Sequence, residues 1–214
     1  MKNNLPGLMV REKRAFSFPD LRAESEGGVI QGHAAVFGQK TNIGGWFEEI
    51  IERSAFDNTD FRDVVMTVNH NLQSIPLARS RNNNSNSTLQ LSVDDTGLFT
   101  RAVLDTDNNS EARALHSSVA RQDITGMSFI FFIRDAKWEN LDSDLPTRRI
   151  LDIARVIEVS AVSFPAYAGT DINARDEQAL ESARAALESA RSELASSKNE
   201  LEIMRLRSQI LMKG

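Results

Sequence analysis

Apolar residues fall along this chain in two different rhythms. Up to Val162 they come in short runs or in alternation with polar residues, separated by clusters of Gly, Asn, Asp and Ser. That is the pattern of strands and turns. From Asp176 onward they recur at heptad spacing. The strongest strand signal is Gly126-Met127-Ser128-Phe129-Ile130-Phe131-Phe132-Ile133, a β-branched and aromatic run opened by a lone hydroxyl. In a strand, Met127, Phe129, Phe131 and Ile133 share one face and Ser128, Ile130 and Phe132 the other. Gly126 permits close backbone approach just before the serine.

The other elements follow from the same periodicity. Residues 1–13 read as a flexible arm. A strand from Arg14 to Arg22 and one from Val29 to Gly38, joined by the turn signal Glu24-Ser25-Glu26-Gly27-Gly28, predict a hairpin. His33 then lies within its second strand and reads as a structural histidine. Phe47 to Ile51 precedes a short helix at Ser54-Ala55-Phe56. Val64 to Val68 is a strand ending in Asn69-His70-Asn71, a turn-forming cluster that sets a histidine at the mouth of a strand. Ile75 to Ser80 is a short strand kept to an edge by Pro76. Asn82 to Ser87 is a polar loop. Leu89 to Val93 and Leu98 to Leu104 form a hairpin around Asp94-Asp95-Thr96-Gly97, so those aspartates read as turn residues. Ser110 to Arg121 is a helix with the face Ala112, Leu115, Val119 and Ala120, capped within Asn108-Asn109-Ser110. His116 borders that face and reads as structural. Ile150 to Val162 is one or two strands around a bend. Within it Glu158 sits between Ile157 and Val159, where a carboxylate needs a partner.

Beyond Gly169-Thr170-Asp171 and Arg175-Asp176, which read as a linker, Leu180, Leu187, Leu194 and Leu201 recur every seven residues. Ala183, Ala190, Ser197 and Met204 follow three after each. This is a coiled-coil seam on a helix of roughly 55 Å, at about 1.5 Å per residue. Charges of both signs flank it, which suits a helical partner better than a membrane or nucleic acid. Self-association through this helix is expected; the alternative is a helix folded back on the preceding domain. The chain thus divides into an arm (1–13), a domain (14–172) and a long helix (173–214).

Composition narrows the chemistry. The 214 residues carry a net charge of −5, 41% hydrophobic and 26% charged residues, which fits a soluble globular class and argues against a nucleic-acid footprint. Cysteine is absent, which excludes disulfide scaffolds, thiol nucleophiles and cysteine zinc sites and fits a cytosolic setting. No apolar run is long enough for a membrane span, and the first residues show no signal-peptide core. Histidine chemistry must use His33, His70 or His116. One serine, one histidine and one buried carboxylate are the parts of a hydrolase. Ser128 would attack a carbonyl, His70 would take its proton and Glu158 would hold the imidazole. This chain order, His-Ser-acid, is none of the three familiar triad orders, and no Gly-x-Ser-x-Gly is present. The residues alone do not select these three from the other serines and acids.

The chain resembles the tailed-phage prohead maturation proteases, serine peptidases distantly related to herpesvirus assemblin. The resemblance is carried by Gly32-His33-Ala34-Ala35-Val36-Phe37-Gly38, Phe47-Glu48-Glu49-Ile50, Ser54-Ala55-Phe56, Asn69-His70, Asp95-Thr96-Gly97-Leu98, Gly126-Met127-Ser128-Phe129, Glu158-Val159-Ser160-Ala161-Val162-Ser163 and Pro165-Ala166-Tyr167-Ala168. Two positions depart from the family pattern: Asn71 where aspartate is common, and Ser54 where glycine is common. The resemblance implies an α+β, mainly β fold, with a seven-stranded barrel-like β domain and flanking helices. It implies His70 as base, Ser128 as nucleophile and Glu158 as third member, the place that histidine takes in assemblin. Assemblin's oxyanion hole uses an arginine-containing loop. The matching stretch here, Ser163 to Tyr167, has no arginine, and a backbone amide near Ala166 is the candidate donor. The implied role is a maturation endopeptidase in the host cytoplasm, inside the immature capsid. It would cleave scaffold segments or the scaffolding region of the major capsid protein, and itself, without a metal or cofactor. Two rivals are a catalytically idle scaffold component acting through the helix, and a general cytosolic esterase.

Overall fold

The structure, a computed structural model, describes residues 11–16, 20–164 and 177–212. Their strands are β1 (Arg11–Phe16), β2 (Arg22–Ala23), β3 (Val29–Val36), β4 (Thr41–Ile43), β5 (Phe47–Ile51), β6 (Asp63–Val68), β7 (Ala78–Arg81), β8 (Leu89–Val93), β9 (Gly97–Val103), β10 (Gly126–Glu139) and β11 (Thr147–Val162). The helices are α1 (Ser110–Ala120) and α2 (Glu177–Leu211), with a 3₁₀ turn at Arg53–Phe56 where a short helix is expected. A mixed seven-stranded sheet runs β1-β10-β11-β5-β4, with β6 joined to β11 and β7 joined to β6. An antiparallel four-stranded sheet runs β2-β3-β9-β8.

This differs from a seven-stranded barrel. Among the described residues the strands form two open sheets, and no pairing closes either of them. The reason lies partly in β11. It is one continuous strand of 16 residues, and its outer edge is shared in turn by β5, along Thr147–Ile150, and β6, along Glu158–Ala161, both parallel to it. The expected hairpin of two full strands also resolves differently. Arg22–Ala23 does pair with β3, but β1 leaves for the other sheet and pairs with β10 from Arg11↔Phe132 to Phe16↔Met127. Residues 11–13, expected in the arm, are therefore strand.

The two sheets enclose the core. Phe129 and Phe131 stack at 4.3 Å between ring centres, and Phe56 packs on Phe129. Met66, Leu98, Leu115, Ile150 and Ile153 fill the space around them. The face predicted for Met127, Phe129 and Phe131 is this core face. α1 begins where Asn109 Oδ1 accepts from the backbone N–H groups of Glu111 and Ala112, and it buries Ala112, Leu115 and Val119. No helix among the described residues is long and apolar enough to cross a membrane.

Gly97 opens β9 against β3 so closely that a Cβ there would lie 1.9 Å from the Ala35 carbonyl oxygen. Gly97→Ala is therefore expected to lower stability by about 1–3 kcal/mol, since backbone, not a flexible side chain, must yield. Thermal unfolding of the variant beside the parent chain checks this; an unchanged melting temperature would show that β3 moves aside freely.

Candidate active site

Three strands set out the site by register alone. β10 pairs with β11 through Ser128↔Ser160 and Ile130↔Glu158, and β11 pairs with β6 through Ser160↔Thr67. Ser128, Ser160 and Thr67 thus form one row across the sheet. Glu158 lies two residues before Ser160, hence on the same face. His70 enters from the turn that follows β6. There Asn69 and His70 both have left-handed backbone, at φ 49° and 56°. Such conformations cost non-glycine residues about 1–2 kcal/mol each. Hydrogen bonds to the end of β11 hold the turn: Asn69 N–H donates to the Ala161 carbonyl, and Asn69 Oδ1 accepts from Ser163 N–H at 2.9 Å. The left-handed turn brings the imidazole back over the sheet.

The result is a line of contacts. Ser128 Oγ lies 2.6 Å from His70 Nε2, and His70 Nδ1 lies 2.7 Å from Glu158 Oε2. Ser128 and Glu158 are fully buried. The second carboxylate oxygen, Oε1, accepts from Thr67 Oγ1 at 2.5 Å. Thr67 Oγ1 lies 3.2 Å from Ser160 Oγ, which accepts from the His70 backbone N–H at 3.0 Å. Donor counting orders this network. Ionised Glu158 only accepts, so Thr67 gives it its one proton, and Ser160 in turn donates to Thr67. The loop His70 N–H, Ser160, Thr67, Glu158 and back to His70 Nδ1 then closes with a proton on Nδ1. That leaves the neutral imidazole with Nε2 as an acceptor facing Ser128, the form a general base requires.

Ser128 Oγ has a second acceptor, the Arg14 carbonyl on β1, at 2.7 Å. A hydroxyl has one proton, so His70 Nε2 and the Arg14 carbonyl compete for it. β1 is in turn anchored by a buried group of four charges. The Arg14 guanidinium bonds Glu12 and Glu49, and Arg148 bonds Glu12 Oε1 at 2.8 Å and reaches Glu49 Oε2 at 3.4 Å. All four side chains are buried, and they join β1 to β5, strands that are not neighbours in the sheet. Each carboxylate faces both guanidiniums, the pairing that makes buried charge tolerable.

The other candidates lie elsewhere. His33 is held between Asp20, at 2.5 Å from Nδ1, and Asp94, at 3.0 Å from Nε2. Asp94 is also a turn residue, its Oδ1 accepting from the Thr96 and Gly97 N–H groups. His116 Nε2 contacts the Glu24 carbonyl at 3.0 Å. Both histidines tie chain segments together. Ala166, the expected oxyanion donor, lies outside the described residues. Among those residues no group of three or more side chains is arranged to hold a metal ion. Sequence reasoning missed Thr67, Ser160 and the Arg14 carbonyl. Period-2 parity offered a signal for Ser160, which shares a strand face with Glu158. Nothing local marked Thr67 or Arg14.

Thr67→Val is expected to leave Glu158 Oε1 buried without its donor, at a cost of about 1–3 kcal/mol in unfolding free energy. Thr67→Ser should restore most of it. If both variants melt alike, the hydroxyl is not what the carboxylate relies on.

The family of caudovirus prohead serine proteases matches residues 17–184. Among solved structures, the bacteriophage T4 capsid assembly protease gp21 is similar at a TM-score of 0.39 and 10% identity, over 71% of this chain and 96% of that chain. No curated protein matches the chain. The family match takes in β2 through β11, with His70, Ser128 and Glu158 all inside it, and on that match the chain belongs to the caudovirus prohead serine protease family.

Proposed function

We propose that this chain is a serine endopeptidase in which Ser128 is the nucleophile, His70 the general base and Glu158 the orienting carboxylate. The observation that carries this reading is the unbroken contact line from Ser128 Oγ through both imidazole nitrogens to Glu158. Ser128 Oγ attacks the scissile carbonyl while its proton passes to His70 Nε2. The imidazolium so formed faces Glu158, whose charge stabilises it in a buried setting. His70 then returns the proton to the departing amine, leaving an acyl group on Ser128. Water, deprotonated by the same nitrogen, releases it. The backbone amide near Ala166 is the candidate donor to the oxyanion.

Family membership supports a place of action inside the prohead in the host cell. The substrates proposed are scaffold segments or the scaffolding region of the capsid protein, together with this chain itself. A fluorophosphonate probe tests the chemistry, because only an activated serine reacts. Labelling located by mass spectrometry at Ser128, and lost in His70→Ala, is the expected result. Absence of labelling would return the chain to the reading of an idle scaffold component. Coexpression with its capsid protein, followed by mass spectrometry of both chains, then reads the cleavage sites.

A further inference from the structure

Ser128 is fully enclosed, and one wall of the enclosure is removable. β10 gives one edge to β11 and the other to β1. β11 is held from both sides by further strands, whereas β1 is the end of the sheet and rests on β10 alone. While β1 is in place, its Arg14 carbonyl fills the space beside Ser128 Oγ, at 2.7 Å, and no substrate carbonyl can enter there. The buried charge group that anchors β1 is built in two neutral halves. β1 supplies Glu12 and Arg14, which share a strand face. The rest of the domain supplies Glu49 from β5 and Arg148 from β11, which approach each other at 3.4 Å. Withdrawal of β1 therefore strands no buried charge. It bares the edge of β10 and, beside that edge, one acid and one base.

We infer that β1 stands in the substrate's place: a peptide substrate replaces it on β10 as an extended antiparallel strand, and Glu49 and Arg148 select one with an acidic residue two positions before a basic residue. The inference rests on the peptidase reading of Ser128. A bare strand edge offers main-chain groups to any extended peptide, and side chains at alternate positions set the choice. Here those positions are the ones that Glu12 and Arg14 fill. The Arg14 guanidinium bonds both carboxylate oxygens of Glu49, with Nη2 2.9 Å from Oε2, and lies 5.9 Å from the Phe131 ring centre. Glu12 Oε1 accepts from Arg148 at 2.8 Å. A peptide with these charges reversed would set like against like in a buried setting. Register then fixes the bond. Ala15 lies opposite Ser128, and the carbonyl at Oγ belongs to the residue before it, so cleavage follows the basic residue. β1 itself is an occupant and not a reactant, because Oγ meets the oxygen of that carbonyl. A proton given to this oxygen is withheld from His70. The strand thus inhibits the site that it covers.

Two measurements on the full chain test this. Glu12→Gln with Arg14→Gln loosens β1 and leaves Glu49 with Arg148. Fluorophosphonate labelling of Ser128 follows the fraction of molecules in which β1 is displaced, so its rate should rise by about tenfold or more. The second measurement offers the unmodified chain a peptide with the sequence of residues 11–18. It should be cut after its Arg14, with kcat/KM about tenfold or more above that for the same peptide carrying Glu12→Arg and Arg14→Glu. That ratio does not depend on how often β1 leaves, and it decides alone if the loosened chain fails to fold. Loss of all labelling and all cleavage would strike the peptidase reading. The two peptides, fluorescently labelled and bound to the Ser128→Ala chain, then judge the site apart from it by anisotropy, and the native charge order should again be favoured. Equal labelling of the folded loosened chain and its parent, equal use or binding of both peptides, or a cut at another bond overturns the inference.

Discussion

Ser128→Ala abolishes cleavage of a peptide substrate while the fold survives: kcat/KM is expected to fall by about 10⁴- to 10⁶-fold, the range for loss of a nucleophile in a working triad. The change removes one hydroxyl from a fully buried position and keeps most of the side-chain volume. The Arg14 carbonyl and His70 Nε2 each lose a neighbour, so a fall in melting temperature is expected, without loss of cooperative unfolding. Cleavage near the parent rate by purified Ser128→Ala protein would remove Ser128 from the mechanism.

His70→Ala is expected to be nearly as severe, and the double variant with Ser128→Ala no worse than either alone. Groups that act as one unit show this non-additivity, because the second loss has nothing left to remove. Glu158→Gln should be milder, by one to two orders of magnitude. The amide oxygen can still accept from His70 Nδ1, and its NH₂ can turn toward Thr67, whose own proton is free to swing to Ser160. What the amide cannot supply is a charge opposite the imidazolium. Single and double variants assayed on one peptide check the set. Multiplying losses in the His70 and Ser128 pair would mean that the two side chains act separately.

Much of this arrangement is legible in the sequence. The strand at Gly126, the turn at Asn69-His70-Asn71, the α1 helix with its asparagine cap and the Asp94 hairpin all announce themselves through local pattern and turn chemistry. Glu158 stands out because an isolated carboxylate in an apolar run demands a partner. The missing parts are non-local. Thr67 and Ser160 matter only because β6 lies parallel to β11 in one particular register. Arg14 matters through its backbone carbonyl, which no side-chain pattern reports. The division of β11 between two parallel neighbours likewise leaves no trace in its own residues, and the barrel-like expectation comes from the family resemblance and not from the strands themselves. For α2, heptad spacing identifies a seam but not where the chain's own surface stops covering it. Here the change comes just past Lys198.

The parallel union of β6 with β11 also dictates when the enzyme comes into being. His70 and Glu158 are 88 positions apart along the chain, and Ser128 lies between them. Parallel neighbours cannot zip from a hairpin; they must find each other after the intervening chain has formed. A nascent chain emerging from the ribosome thus carries its histidine, and later its serine, without a carboxylate to steady the imidazole. β1 likewise waits for its neighbour β10, so the enclosure of Ser128 is also a late addition. The line of contacts from Ser128 through His70 to Glu158 is among the last things the protein builds, and on the proposed reading a copy still being made does not yet cleave.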